Sequence, residues 1–215
     1  MPEAYTLVEH AGLAPLNTLG VAATARWLAE VRDAAAIPAV LALPAVSGAP
    51  AMVLGEGSNV LFAADFPGLI LRTAFDSVRM LGDDGSSALV RAEAGAGWDA
   101  LVDCVRTTFA RFDIAQCAFA YRDSVFKREP ERWIVTAVEF RLARVARSRL
   151  DYAGVREELA AQGVTADPTP QQVADAVRRL RRRKLPDPTV IGNAGSFFKN
   201  PVVDAARATR IRATH

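Results

Sequence analysis

The stretch Ala51-Met52-Val53-Leu54-Gly55-Glu56-Gly57-Ser58-Asn59-Val60-Leu61-Phe62 is the one from which the rest of the chain can be read. Four apolar residues suited to a strand run into a turn of glycine, serine and asparagine, and residues 60–62 resume as a second strand. Two glycines with Ser58 and Asn59 allow a sharp reversal whose backbone N–H groups converge, which is how a loop cradles phosphate without a lysine. The same composition also serves as a plain strand-to-strand turn. The residues alone leave both readings open.

Upstream, 24–31 is short and apolar enough for a strand. Asp33 can then cap a helix over 34–43, with Pro38 tolerable in its first turn. Downstream, 68–72 and 77–81 read as strands, and Asp83-Asp84-Gly85 signals a hairpin into a strand at 88–92. Residues 97–105 suit an amphipathic helix with Leu101, Val102 and Val105 on one face. The β-branched and aromatic run 133–142 suits a strand. Many short strands around a few helices imply an α+β chain.

The character changes near Ser148. Residues 148–162 read as a helical connector, and Asp167-Pro168-Thr169-Pro170 is a break. Thr169 as N-cap, Pro170 at the first helical position and Gln172 at the third form a capping box. The helix they open runs through Val173, Val177 and Leu180 until Pro186 stops it. This predicts one region over 1–147, with a division into two subdomains near 74, and a second over 148–215.

The chain has 215 residues, 51% apolar and 23% charged, which is globular composition. A net charge of +2 gives no global field for nucleic acid or membrane. The longest apolar candidate, 34–46, is short of a membrane span and carries Pro38 and Pro44. The first twelve residues lack the pattern of a secretory signal. Two cysteines, Cys104 and Cys117, fit a reducing cytoplasm. His10 and His215 lie near the ends, which argues against a histidine-based triad or metal site. The expectation is a cytoplasmic monomer with no nucleic-acid or membrane partner.

Three further segments carry candidate chemistry. In Tyr121-Arg122-Asp123-Ser124-Val125-Phe126-Lys127, an arginine beside a carboxylate suits a fixed cation aimed at an anion, or a solvated loop. Lys184-Leu185-Pro186-Asp187-Pro188, followed by Gly192-Asn193-Ala194-Gly195-Ser196-Phe197-Phe198-Lys199-Asn200-Pro201, reads as a shaped binding loop with Ser196 and Asn200 as its hydrogen-bonding groups. Arg178-Arg179-Leu180-Arg181-Arg182-Arg183-Lys184 puts six cations in seven positions. It suits nucleic acid, a small phosphorylated ligand, or simply the negative end of a helix dipole.

Taken in order, these segments resemble the UDP-N-acetylenolpyruvoylglucosamine reductases, in the subclass marked by a Tyr-Arg-Asp-Ser motif, from Asn17-Thr18 to about Val203. The resemblance implies an FAD-binding domain of the vanillyl-alcohol oxidase/PCMH type, plus a smaller α/β substrate-binding domain that is only partly present. It implies reduction of a UDP-sugar enolpyruvyl ether to UDP-N-acetylmuramate, with FAD and NADPH, in peptidoglycan precursor synthesis. By resemblance Gly55, Glu56, Gly57, Ser58 and Asn59 hold the flavin diphosphate. Arg122 is the catalytic cation and Ser196 the proton donor, while Tyr121, Arg181, Lys184 and Asn200 contact the substrate.

The chain also departs from that family. Around 107–110 a glycine- and alanine-rich segment is missing, so that Arg106-Thr107-Thr108-Phe109 leads almost directly to Arg111-Phe112-Asp113 and the Tyr121 motif. Past Val203 the family continues into a region that supplies a catalytic glutamate, for which no residue here can be assigned. The alternative expectation is therefore a catalytically inactive, truncated remnant with weak or no nucleotide binding, exposing apolar surface near Phe109 and Phe112.

Overall fold

The computed structural model describes residues 3–96, 112–129, 132–145, 148–194 and 203–214. Among these residues the chain is α+β, with a four-stranded mixed sheet, a three-stranded antiparallel sheet and a helical pair. The helix expected over 97–105, together with Phe109, Ser196 and Asn200, lies outside the described residues.

The larger sheet has the order β1 (Tyr5–Gly12), β2 (Thr24–Val31), β4 (Phe66–Thr73), β3 (Ala51–Leu54). β1 runs antiparallel to β2, whereas β2 and β3 both run parallel to β4. β4 is buried on both faces, as a strand flanked by parallel neighbours must be, and so it reads as an unbroken apolar run. On one face Leu69 and Leu71 pack with Trp27, Val31 and Phe75 beneath Ile37 and Val40 of α1 (Ile37–Leu41). On the other, Ile70 packs with Leu13, Ala25, Leu54 and Phe62.

The expected strand at 60–62 is not a strand. Because β3 and β4 run parallel, the chain must travel back the length of β3 before β4 can start, and no strand lies beside it on the way. Phe62, 7% exposed, instead plugs the second core. The helix expected over 34–43 is also shorter: Asp33 caps a 3-10 turn at Ala34–Ala36, accepting from the Ala35 N–H at 2.9 Å, and α1 follows. β1 had no counterpart in the sequence reading.

The smaller sheet has the order β5 (Val78–Asp83), β6 (Ser87–Glu93), β7 (Ala137–Ala143). The Asp83-Asp84-Gly85 hairpin joins the first two strands, and hydrogen bonds from Ser86 and Ser87 hold the Asp84 carboxyl well below the usual carboxylate range. β7 begins at Ala137, four residues later than expected. Two short helices, α2 (Ile114–Cys117) and α3 (Val125–Arg128), precede it. Apolar surface is exposed near Phe112, at Ile114 (82%) and Phe119 (65%), while Phe112 itself is half-buried. Its ring meets Phe126 at 5.4 Å and Trp133 at 4.8 Å, both edge-on.

Beyond 148, α4 (Val155–Ala160) and α5 (Pro170–Lys184) pack through Val155, Leu159, Ala176 and Leu180. The capping box on α5 forms as read: the Gln172 N–H donates to Thr169 Oγ1, and the Gln172 side chain accepts from the Thr169 N–H at 2.8 Å. A last helix, α6 (Ala205–Thr214), presents no buried residue.

Candidate functional site

The Gly55–Asn59 loop leaves the carboxyl end of β3, and Gly57 within it has φ +66. A side chain is excluded there for two reasons. The left-handed conformation disfavours one, and an ideal Cβ would sit 2.0 Å from the Leu16 carbonyl oxygen. Among the described residues, the backbone N–H groups of Glu56, Gly57, Ser58 and Asn59 donate to no other group of the chain. Successive unengaged donors on a turn whose residues other than Gly57 are exposed suit an anion.

What holds this loop in place is the turn at 13–20. Asn17, 6% exposed, donates through Nδ2 to the Leu13 carbonyl at 2.8 Å and the Val21 carbonyl at 3.1 Å, and its Oδ1 accepts from the Val21 N–H at 3.0 Å. Beside it the Thr18 N–H donates to the Gly57 carbonyl at 3.2 Å.

The segment 186–194 closes on the other side of the same turn. Asp187 Oδ1 accepts from the Thr189 N–H at 2.9 Å and from its hydroxyl at 2.7 Å. Those two bonds, with the Arg182 guanidinium nearby, hold the Asp187 carboxyl below the usual range. Asn193 Nδ2 donates to the Pro186 carbonyl at 2.9 Å and the Ile191 carbonyl at 3.0 Å, which closes the loop on itself. Its root is fixed to Thr18 twice: the Asn193 N–H donates to the Thr18 carbonyl at 3.1 Å, and Thr18 Oγ1 donates to the Asn193 carbonyl at 2.6 Å. Gly192 approaches so closely that a Cβ would lie 2.6 Å from the Leu19 carbonyl. Between the two loops lies an open cleft of about 390 Å³, lined by Pro15, Thr18, Glu56, Thr189, Val190 and their neighbours.

The structure therefore brings together two of the segments singled out in the sequence, 55–59 and 186–194. Tyr121, Arg122, Arg181 and Lys184 do not line that cleft among the described residues. Tyr121, 55% exposed, and Arg122 form the tip of a two-residue turn closed by Ala120 and Asp123, whose N–H groups and carbonyls bond reciprocally at 3.0 and 3.2 Å. Arg122 sits at φ +53, unusual for a large side chain, as do His10, Ala118 and Asp167 among the described residues. Asp123 binds Arg128 at 3.0 Å and accepts from the Ser124 N–H at 2.8 Å.

The basic run on α5 is substantially occupied within the protein. Arg179 and Arg183, one turn apart, both engage Glu158 of α4, which is 5% exposed; the Arg179 contact is 3.2 Å. Arg178 binds Asp175 at 3.0 Å. Lys184 Nζ lies 5.6 Å from the Tyr152 ring centroid, and Arg181 is exposed on the last turn. Two of the six cations thus join α5 to α4 through Glu158, and a third is paired within α5.

The sequence marks Asn17 and Thr18 only as the start of the resemblance, without a role, and does not mark Glu158 at all. A buried-capable asparagine in a turn ahead of a glycine was the available signal for the first. Nothing local marks Glu158, whose role depends on a helix some twenty residues away.

No protein-family model matches the chain. The UDP-N-acetylenolpyruvoylglucosamine reductase of Xanthomonas axonopodis pv. citri is 41% identical, covering 98% of this chain and 73% of that one. That of Pseudomonas aeruginosa is 39% identical over 96% and 74% respectively. A solved structure of UDP-N-acetylenolpyruvylglucosamine reductase from Thermus caldophilus aligns with 19% identity and a TM-score of 0.48, covering 97% of this chain and 80% of that one, a likeness too loose to add weight. In the Xanthomonas alignment, 256 positions are matched against the roughly 211 residues that 98% of a 215-residue chain supplies. About 45 positions of the relative thus stand opposite a gap. At such identity over nearly the whole chain and almost three quarters of each relative, the chain belongs to the UDP-N-acetylenolpyruvoylglucosamine reductase family.

Proposed function

We propose that the chain is a flavin-dependent reductase of the enolpyruvyl ether of a UDP-sugar, yielding UDP-N-acetylmuramate with NADPH as the electron source. The observation that carries this is the 41% identity across 98% of the chain. The convergence of 55–59 and 186–194 on Thr18 supports it. The residues fit the cofactor where they can be judged, because the unengaged N–H groups of Glu56, Gly57, Ser58 and Asn59 suit a diphosphate and Gly55 leaves open space for it. FAD, when bound, supplies the hydride chemistry that side chains lack.

The chain's own residues then supply position and charge. The Gly55–Asn59 backbone holds phosphate oxygens. Arg122, at the tip of its turn, offers a fixed cation to the negative charge that develops beside the substrate carboxylate. Ser196 delivers a proton to the adjacent carbon. Arg181 and Lys184 at the end of α5 attract the substrate's own diphosphate, against the helix dipole, whose negative end lies there. Tyr121 and Asn200 contact the substrate. Residues 1–147 form the flavin-binding part, of the vanillyl-alcohol oxidase/PCMH type, and the helical unit beyond 148 belongs to the substrate side.

A second reading is favoured by the gap of about 45 positions against the relatives. In it the chain retains the loops but not the turnover. Purified protein incubated with FAD and desalted tests the site assignment by its retained visible absorbance. Adding NADPH and the enolpyruvyl substrate then separates the readings. Substrate-dependent loss of NADPH supports the reductase, and retained flavin without such loss supports the remnant. A colourless protein contradicts the proposed flavin site.

A further inference from the structure

The turn residue Thr18 touches both candidate loops, and it does so with three separate groups. Its N–H donates to the Gly57 carbonyl at 3.2 Å. Its carbonyl accepts from the Asn193 N–H at 3.1 Å, and its hydroxyl donates to the Asn193 carbonyl at 2.6 Å. On either flank, Leu16 and Leu19 turn their carbonyls into the space that side chains at Gly57 and Gly192 would need. Asn17 pins the turn from within, buried and bonded on both ends of its amide. The turn is thus the rigid member, and the two loops are seated on it.

Of the bonds Thr18 makes, only the one from its hydroxyl depends on its side chain. The segment 186–194 is otherwise exposed, and its internal bonds, Asp187 to Thr189 and Asn193 to Pro186, shape it without fixing it to the body of the protein. We propose that Thr18 is a positioning residue that couples the two loops: its hydroxyl anchors Asn193, so that order imposed on 55–59 by a bound phosphate passes to 186–194. The proposal rests on the reading of 55–59 and 186–194 as parts of one site.

Hydrogen exchange on the intact chain tests it, with Thr18→Val, which keeps the shape and removes the donor, and Thr18→Ser, which restores it. Loss of one hydrogen bond predicts about three- to tenfold faster exchange over 186–194 in Thr18→Val, with Thr18→Ser close to the parent chain. Residues 51–60 should change little, because the Thr18 N–H bond to Gly57 survives both substitutions. Adding FAD should slow exchange at 51–60 in every variant, and at 186–194 only where position 18 carries a hydroxyl. Unchanged exchange over 186–194 in Thr18→Val overturns the anchor. Slowing of 186–194 by FAD in Thr18→Val as well overturns the coupling. If FAD slows exchange nowhere, the flavin reading fails, while the comparison of the unliganded variants still decides the anchor.

Discussion

Gly57→Ala separates what the Gly55–Asn59 loop needs for folding from what it needs for binding. The residue sits at φ +66, and a methyl group would lie 2.0 Å from the Leu16 oxygen and 2.8 Å from Asn17 Cα. Holding alanine in the left-handed region costs about 1–2 kcal/mol. Relieving the overlap means shifting backbone pinned by the buried Asn17 amide, for which forced overpacking suggests about 1–3 kcal/mol more. Together these give about 2–5 kcal/mol, which is a large part of the stability of a domain this size. With a urea dependence near 2 kcal/mol per molar, the unfolding midpoint should fall by about 1–2.5 M. Gly55→Ala is the control, because that position has no atom within 4 Å of an added Cβ and no positive φ, and it should move stability by less than about 0.5 kcal/mol. Urea unfolding followed by circular dichroism measures both. Equal midpoints for the two variants would refute the close-packing argument. It follows that phosphate binding is best probed by a bulkier residue at position 55, where the fold is indifferent to it.

Further outcomes concern other parts of the molecule. Glu158→Gln removes the carboxylate shared by Arg179 and Arg183 and should cost about 1–3 kcal/mol in thermal unfolding, whereas Arg181→Gln should cost less than about 0.5 kcal/mol; equal losses would deny the clamp. The Asp187 carboxyl, held low chiefly by the Thr189 hydroxyl and amide, stabilises its loop above the ordinary value of 3.8, and that contribution fades as pH falls through the lowered value. Carbon-detected titration of Asp187 should give a midpoint below 3.8, moving up in Thr189→Val; a midpoint at or above 3.8 in the parent chain contradicts the turn. Phe112→Ala should loosen the edge-on cluster with Phe126 and Trp133, costing less than the ~3–5 kcal/mol of a fully buried phenylalanine because Phe112 is half-buried, and shifting Trp133 emission to the red. An unshifted spectrum would mean that the cluster is not formed in solution.

Much of the fold was legible wherever a local rule decides it. β2, β3 and the α5 cap appear at the residues where periodicity and capping placed them, because alternation and the Thr169–Gln172 exchange are settled within a few positions. Val60–Phe62 was misread because its apolar content serves the second core rather than a strand, and only the parallel pairing of β3 with β4 reveals that. β1 escaped notice since its central residues Glu9 and His10 break the apolar pattern of an edge strand. In the site, the glycines announced tight backbone, yet what they approach, the Leu16 and Leu19 carbonyls, belongs to a turn far away in sequence. Charge was legible in number but not in purpose, as the capture of Arg179 and Arg183 by Glu158 shows.

The central claim is that the Gly55–Asn59 backbone receives a diphosphate. Equilibrium dialysis of the purified chain against FAD and against riboflavin, which has the same ring system and no phosphate, tests it most directly. FAD should be retained and riboflavin should equilibrate freely, with Gly55→Val reducing the retention of FAD while leaving the circular dichroism unchanged. Free equilibration of both flavins, or retention of riboflavin equal to that of FAD, would contradict it.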